Sequence, residues 1–593
     1  MIQALSAVFL VVACLWAMTG FCFVRKSSKR LPGLGWIMVG IIGLTCWHAL
    51  VAGIVFLISI PVTAWVMGAS DILLGCALWF PSWRQRKVQR YEFRVADLLA
   101  AAGMLTLAGA YFALRTAGLQ FSMNFATIDP APRIMEAVDV ATRHSINAMY
   151  YHALTNGLLM DILGPITSLD YYYKVFVFSG GLFLVFVGLM FYSVIRPYLR
   201  KRSLVVVGAI VTMLYVGGYP LNATFYGFVY LGMGMAIVGY LVFVTDALMR
   251  DDISLWPAVA LLMLGCLGMI TCYAMFAPVM FIAVIWQLWT KQRQHGKLFT
   301  RETVLACLAV FLVPIALGMW YTYGGVFTAG VTMGGAISSE GAGYRELFLD
   351  YLPFVPLAVF GYLKCRGGKN LPTVAVILPV VVVFVVGLFG LGLLGKVSSY
   401  YYYKSYNLLW FVVMYLLLVG IVKIAGRETR LLVGIYAVAW ALVFGLAMSG
   451  LDYDLSKQHP LFNPSDRSDQ LNQIFVSNKV MIHSAGGIDP DQQALYHYVF
   501  DNITPTGDPK VPIVSYWQDA FWYQAISNQR EHDWNEQFMT DPVWVMNMLR
   551  STKPKYVVVL TGEASVTYQA NKAYFDALPH VFATKSGFIA QLS

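Results

Sequence analysis

Apolar runs of about 20 residues recur along the chain from Met1 to about Ser449, separated by short stretches that hold most of the charge. A helix of that length crosses a hydrocarbon core of roughly 30 Å. The pattern predicts fourteen spans, near residues 2–24, 35–55, 60–80, 97–116, 172–195, 203–217, 225–249, 254–271, 273–290, 303–322, 351–364, 371–395, 406–422 and 431–449. From Gly450 onward no run is long enough to span. There, short β-rich runs (Val511 to Tyr516, Tyr556 to Leu560, Val581 to Thr584, Phe588 to Leu592) alternate with helical ones near Gln518 to Ser527 and Ser565 to Leu578. Alternation of this kind predicts a small α/β unit.

Composition agrees with lipid as the solvent: 59% of the 593 residues are hydrophobic and 12% charged, against roughly 45–50% and 25% in soluble domains. The formal charge of +10 is not a nucleic-acid footprint. From Gly450 the chain carries ten Lys and Arg against fifteen Asp and Glu, a net of −5, so the positive excess lies in the short loops between spans. With alternating helices, the loops on one side hold twenty-four Lys and Arg, including Arg25 to Arg30, Arg84 to Arg94, Arg196 to Arg202, Lys291 to Arg301, Lys364 to Lys369 and Lys423 to Arg430. The opposite loops, before the terminal unit, hold seven: Arg115, Arg133, Arg143, Lys174, Arg345, Lys396 and Lys404. The positive-inside rule makes the crowded side cytoplasmic. The first run has no basic residue before it and a basic cluster after it, the reverse of a signal peptide, so an uncleaved helix is expected. The expectation is a multi-pass cell-membrane protein with both its N-terminus and its terminal unit extracytoplasmic.

The eight cysteines lie in the hydrophobic part at spacings that match no zinc or haem motif, and the terminal unit has none. His48 and Asp71 fall within spans and read equally well as a hydrogen bond between early helices or as functional groups. The chemistry is sought in three outer segments, 119–170, 323–350 and 396–404, too long or too polar to be simple turns. In the first, Asp129 reads as an N-cap and Pro130 as the first helical residue, with Ile134, Ala137, Val138 and Ala141 forming one apolar face. Arg133 follows Asp129 by one turn, and a second helix from Ile146 to about Leu163 presents Tyr151 and His152. Two segments echo each other: Tyr171-Tyr172-Tyr173-Lys174 and Tyr400-Tyr401-Tyr402-Tyr403-Lys404, each at the outer start of an inward-running helix. Interfacial tyrosines and snorkelling lysines account for such segments as readily as a phosphate site does. The glycine-rich stretch Gly324 to Tyr344 is expected to form a flap, with Glu340 and Arg345 at its far end.

This layout, with a long acid-bearing outer loop, further irregular outer loops and a terminal unit on the same side, resembles the GT-C glycosyltransferases. The resemblance covers about Ala96 to Ser593. It implies a polytopic helical membrane protein of about 14 spans: residues 1–95 as three N-terminal helices, 96–449 as a GT-C-like core, and 450–593 as a soluble extracytoplasmic α/β domain. It also implies a transferase that moves a sugar from a polyprenyl-phosphate carrier to a glycan, lipid or protein acceptor. Asp129 would be the general base, Arg133, Lys174, Lys396 and Lys404 would hold the donor phosphate, and Tyr151, His152, Glu340 and Arg345 would contact substrate. Many members place two carboxylates one residue apart, whereas Asp129 is followed by Pro130-Ala131, so no metal site and no firm cofactor carry over. Trp517-Gln518-Asp519 is weakly similar to the tryptophan-rich motif of oligosaccharyltransferases. The competing class is a transporter or lipid flippase, whose usual internal repeats and midplane polar groups are not evident beyond the Tyr–Lys echo.

Overall fold

The computed structural model describes residues 2–23, 31–85, 91–116, 130–144, 157–160, 171–225, 227–296, 300–322, 354–366, 371–394, 396–397, 399–424, 489–506, 511–515, 517–529 and 541–592. Among them, eight helices are long and apolar enough to cross a membrane: Gly33–Val55, Val95–Ala113, Tyr172–Tyr198, Arg202–Phe225, Val229–Met249, Leu255–Gln294, Thr373–Leu393 and Lys404–Ile424. Leu5–Phe21 and Ala64–Phe80 are shorter apolar helices. The protein is thus a polytopic helical chain. The stretch 431–449, expected as a last span, lies outside the described residues.

The elements that frame the site are α1 (Ile2–Phe23), α2 (Gly33–Leu57), α3 (Ala64–Gln85), α4 (Val95–Thr116), α5 (Pro130–Arg143), α6 (Tyr172–Ile195), α7 (Arg202–Gly217), α8 (Tyr219–Phe225) and α9 (Val229–Met249), with a short parallel pair of strands, β1 (Leu31–Pro32) and β2 (Tyr91–Glu92), ahead of α2 and α4. They are followed by α10 (Leu255–Tyr273), α11 (Ala277–Gln294), α12 (Arg301–Thr322), α13 (Val355–Arg366), α14 (Thr373–Leu393) and α15 (Ser399–Ile424). The 40-residue run Leu255–Gln294 would be about 60 Å long as one helix, twice the hydrocarbon thickness. It breaks at Ala274–Phe276, just ahead of Pro278 in the first turn of α11. The chain then doubles back, because Lys291 near its end bonds the Met249 carbonyl and Asp251 just before its start. α9 is buried along its whole length and packs against α6, α10 and α11, which makes it the axis of the bundle.

Contacts divide the bundle into two ends. At one, Arg196 grips Asp97 with two bonds of 2.8 Å, Tyr192 donates to the same carboxylate, and Arg94 reaches the Leu199 carbonyl. Asp246 accepts from the backbone N–H and hydroxyl of Thr373 at this end too. Arg196 and Asp97 are matched in charge, as are Arg94 and Glu92, and the Arg94 bond holds the Glu92 carboxyl below its usual range. The other end gathers aromatic side chains from α6, α8, α9, α10 and α15, and it is where the terminal segment docks.

That segment contains α16 (Pro490–Tyr498), β3 (Ile513–Val514), α17 (Trp517–Ser527), α18 (Pro542–Thr552), β4 (Tyr556–Leu560), α19 (Val566–Ala570), α20 (Lys572–Asp576), β5 (His580–Ala583) and β6 (Gly587–Gln591). The strands form one sheet in the order β3-β4-β6-β5, parallel between β3 and β4 and antiparallel elsewhere. Asp489 starts α16 with a capping box completed by Gln492, and Pro490 fills the first helical position, where no N–H is needed. α17 packs against both α5 and α6.

Candidate aromatic and cationic site

α5 begins at Pro130, the residue expected to open it, and Ile134, Ala137 and Val138 bury the expected face. The helix therefore lies with one side on the bundle and another against α17. Its first turn carries Arg133, whose guanidinium stands 5.8 Å from the centre of the Tyr230 ring and pairs with Glu136 at 2.6 Å.

Tyr230 reaches this place through a chain reversal between α8 and α9. Phe228 N–H bonds the Ala223 carbonyl and Gly227 N–H bonds that of Thr224, the paired bonds of a Schellman ending. Gly227 sits at φ +76°, a conformation that strains side chains with a Cβ. The reversal presents Phe228 and Tyr230 side by side, and Tyr273 from the end of α10 stacks on Tyr230 at 5.9 Å.

Into this set projects Lys404 of α15. Its ammonium lies 4.5 Å from the Phe228 ring centre, 5.7 Å from Tyr230 and 6.0 Å from Tyr273, and the residue is only 4% exposed. Taking an ammonium out of water is costly. Each ring face offsets part of that cost, by about 0.5–2 kcal/mol. Below it, Tyr402 and Tyr406 share a hydroxyl bond of 2.6 Å, and Tyr406 stacks on Tyr219. Arg133 and Lys404, 271 positions apart in sequence, thus both lie near one tyrosine ring.

The first Tyr–Lys segment does something else. Tyr171 stacks on His497 at 3.9 Å and donates to Asp501, while Phe500 meets the edges of Tyr171 and Tyr172. The Gln493 amide donates to the Tyr173 hydroxyl, whose oxygen also lies 3.2 Å from His497 Nε2. His497 sits half-buried in this contact. Burial pushes its pKa down to about 4, Asp501 opposes the shift, and Lys174 adds to it. Lys174 itself lies 5.1 Å from the centre of the Tyr171 ring, half-buried at the margin of the docked segment.

Of the residues expected in a site, Arg133 and Lys404 both border Tyr230, Lys174 stands at the docking contact, and Lys396 is exposed beyond the end of α14. Asp129, Tyr151, His152, Glu340 and Arg345 lie outside the described residues. Phe228, Tyr230, Tyr273, Gln493 and His497 escaped sequence reasoning. Their letters are common at membrane interfaces, and only the Gly227 reversal hints that Phe228 and Tyr230 are aimed. Comparison with known proteins supplies no relative: no family model matches the chain, and no curated protein matches it significantly.

Proposed function

We propose that the protein is a membrane glycosyltransferase that takes a sugar from a polyprenyl-phosphate carrier and passes it to a cell-envelope glycan, lipid or protein on the outer face. The observation that carries this reading is the convergence of Arg133 and Lys404 on Tyr230. Two cations over apolar rings form a receptor for a phosphate attached to a lipid, since the anion gains two charge-assisted contacts and the adjoining chain stays in apolar surroundings. The lopsided loop charges orient the aromatic end outward, where sugar nucleotides are absent and a lipid carrier must supply the activated sugar. On this reading the chain has fourteen spans and the sheet-bearing segment is an extracytoplasmic α/β domain that covers the site through α17.

Asp129, next to the start of α5, is the general base in this proposal. It removes the acceptor hydroxyl proton as that oxygen attacks the anomeric carbon; the bond from carbon to phosphate oxygen breaks, and Arg133 and Lys404 stabilise the departing phosphate. Lys174, Lys396, Glu340, Arg345, Tyr151 and His152 remain proposed substrate contacts. The test uses the full chain in lipid nanodiscs with a panel of polyprenyl-phosphate sugars, reading thermal stabilisation and then transfer. Stabilisation by one donor is expected. Asp129→Asn keeps a good helix cap, so it should still bind that donor while transfer falls by about two to four orders of magnitude. No donor stabilising the protein would favour the transporter class, and full transfer by Asp129→Asn would remove the base assignment.

A further inference from the structure

Away from the aromatic end, α1, α2 and α3 bring three metal-ligating side chains together inside the apolar bundle. His48 Nε2 lies 3.0 Å and 2.9 Å from the two oxygens of Asp71, and the Cys14 thiol donates to the second of them at 3.3 Å. One ligand atom from each residue lies within 4.8 Å of the other two. Asp71 is fully buried and His48 nearly so. The spacings from Cys14 to His48 and from His48 to Asp71 fit no metal motif, because the ligands come from three separate helices.

We propose that Cys14, His48 and Asp71 form a binding site for a divalent transition ion of the zinc class, held by one thiolate, one imidazole and one carboxylate. The donor set is what such an ion prefers: nitrogen, sulfur and oxygen, at mutual separations near the about 3.3–3.8 Å that tetrahedral ligands at 2.0–2.3 Å require. Charge supports the same ion. A thiolate and a carboxylate cancel a dication while the imidazole stays neutral, so the loaded site carries no net charge, as an apolar surrounding demands.

The helices that carry the ligands are held close. A Cβ on Gly75 would stand 2.3 Å from Trp16 Cδ1, so only glycine lets α3 approach α1 at this depth, one turn from Asp71. Trp16 in turn stacks on Trp79 at 5.3 Å. The ligands therefore sit on rigid elements, as a metal site needs. Three protein ligands leave a fourth position for a water or small molecule, the pattern of open zinc sites.

The test takes the full chain in detergent, stripped with a chelator and reloaded with Zn2+ or Co2+, and counts metal by mass spectrometry. Wild type should bind about one ion per chain, and Co2+ should give a thiolate-to-cobalt charge-transfer band in the near ultraviolet. Cys14→Ser should abolish the band, and Asp71→Asn should lower retention at least tenfold, each with unchanged monodispersity and helical content. Should either variant fail to fold, displacement of Co2+ by Zn2+ in wild type still reads the site through the same band. Metal no higher than a buffer blank, or an undiminished band in folded Cys14→Ser, would overturn the proposal and leave the three side chains as a hydrogen-bonded clasp between helices.

Discussion

Tyr171 to Lys174 and Tyr400 to Lys404 are written in nearly the same letters, yet they have different surroundings. In the first, the tyrosines face a polar helix of the terminal segment, and their hydroxyls are engaged by Gln493, His497 and Asp501. Lys174 is left at the margin of that contact. In the second, Tyr402 bonds Tyr406 of the same helix, and the next lysine is drawn under the rings of Phe228, Tyr230 and Tyr273. A short motif fixes what a segment can offer, and its neighbours decide what it does. The same four-letter pattern is a docking strip at one helix start and a buried cation at another.

The strongest way to break this comparison is to remove the buried charge. Lys404→Met should weaken binding of a polyprenyl-phosphate donor by about 10- to 150-fold, the equivalent of about 1.5–3 kcal/mol for a hydrogen bond to a charged group. The ligand-free protein should melt within a few degrees of wild type, because methionine fills nearly the same space among the rings. Donor titration and thermal melting together check both halves. A variant that melts much lower and still binds donor would make Lys404 a structural residue.

Next in size is Tyr173→Phe, which takes the bonding partner from both Gln493 and His497. Leaving such groups unsatisfied costs about 1–3 kcal/mol, so hydrogen exchange at residues 489–506 should quicken by about 5- to 150-fold while donor binding changes less than in Lys404→Met. The docking contact should also respond to pH. His497 has an ordinary pKa of 6.5, held down to about 4 when docked, so the undocked state takes up the proton first. Docking is intact above pH 6.5, weakens as pH falls below it, and has lost the full contribution near pH 4. Exchange at 489–506 followed from pH 7.5 to 4.5 should show this, and His497→Gln should flatten the profile. The smallest effect belongs to Lys174→Gln, where a half-exposed charge contributes at most about 1 kcal/mol. Its donor affinity should stay within about fivefold of wild type.

Much of the helical layout was legible because lipid imposes a length rule that composition alone reveals. The split of 254–290 into two helices and the start of α5 at Pro130 followed from that rule and from helix-end chemistry. Strands β3, β4, β5 and β6 fall within or beside the β-rich runs for the same local reasons. What could not be read was which residues meet. Arg133 stood out as an outer cation, but nothing local says that it shares Tyr230 with Lys404, since that pairing depends on how α5, α9 and α15 pack. Cys14, His48 and Asp71 were likewise visible singly; their encounter depends on α1, α2 and α3 lying side by side, and cysteine spacing carries no trace of it. The two Tyr–Lys segments show the limit most plainly, because local sequence treats them alike.

In the proposed function, phosphate is the group recognised at the aromatic end. The most direct measurement compares binding of a polyprenyl phosphate and of the matching polyprenol to the full chain in nanodiscs, for wild type and Lys404→Met. Wild type should prefer the phosphate by about tenfold or more, and Lys404→Met should lose most of this preference. Equal binding of phosphate and alcohol by wild type, or a preference untouched by Lys404→Met, would contradict the proposed function.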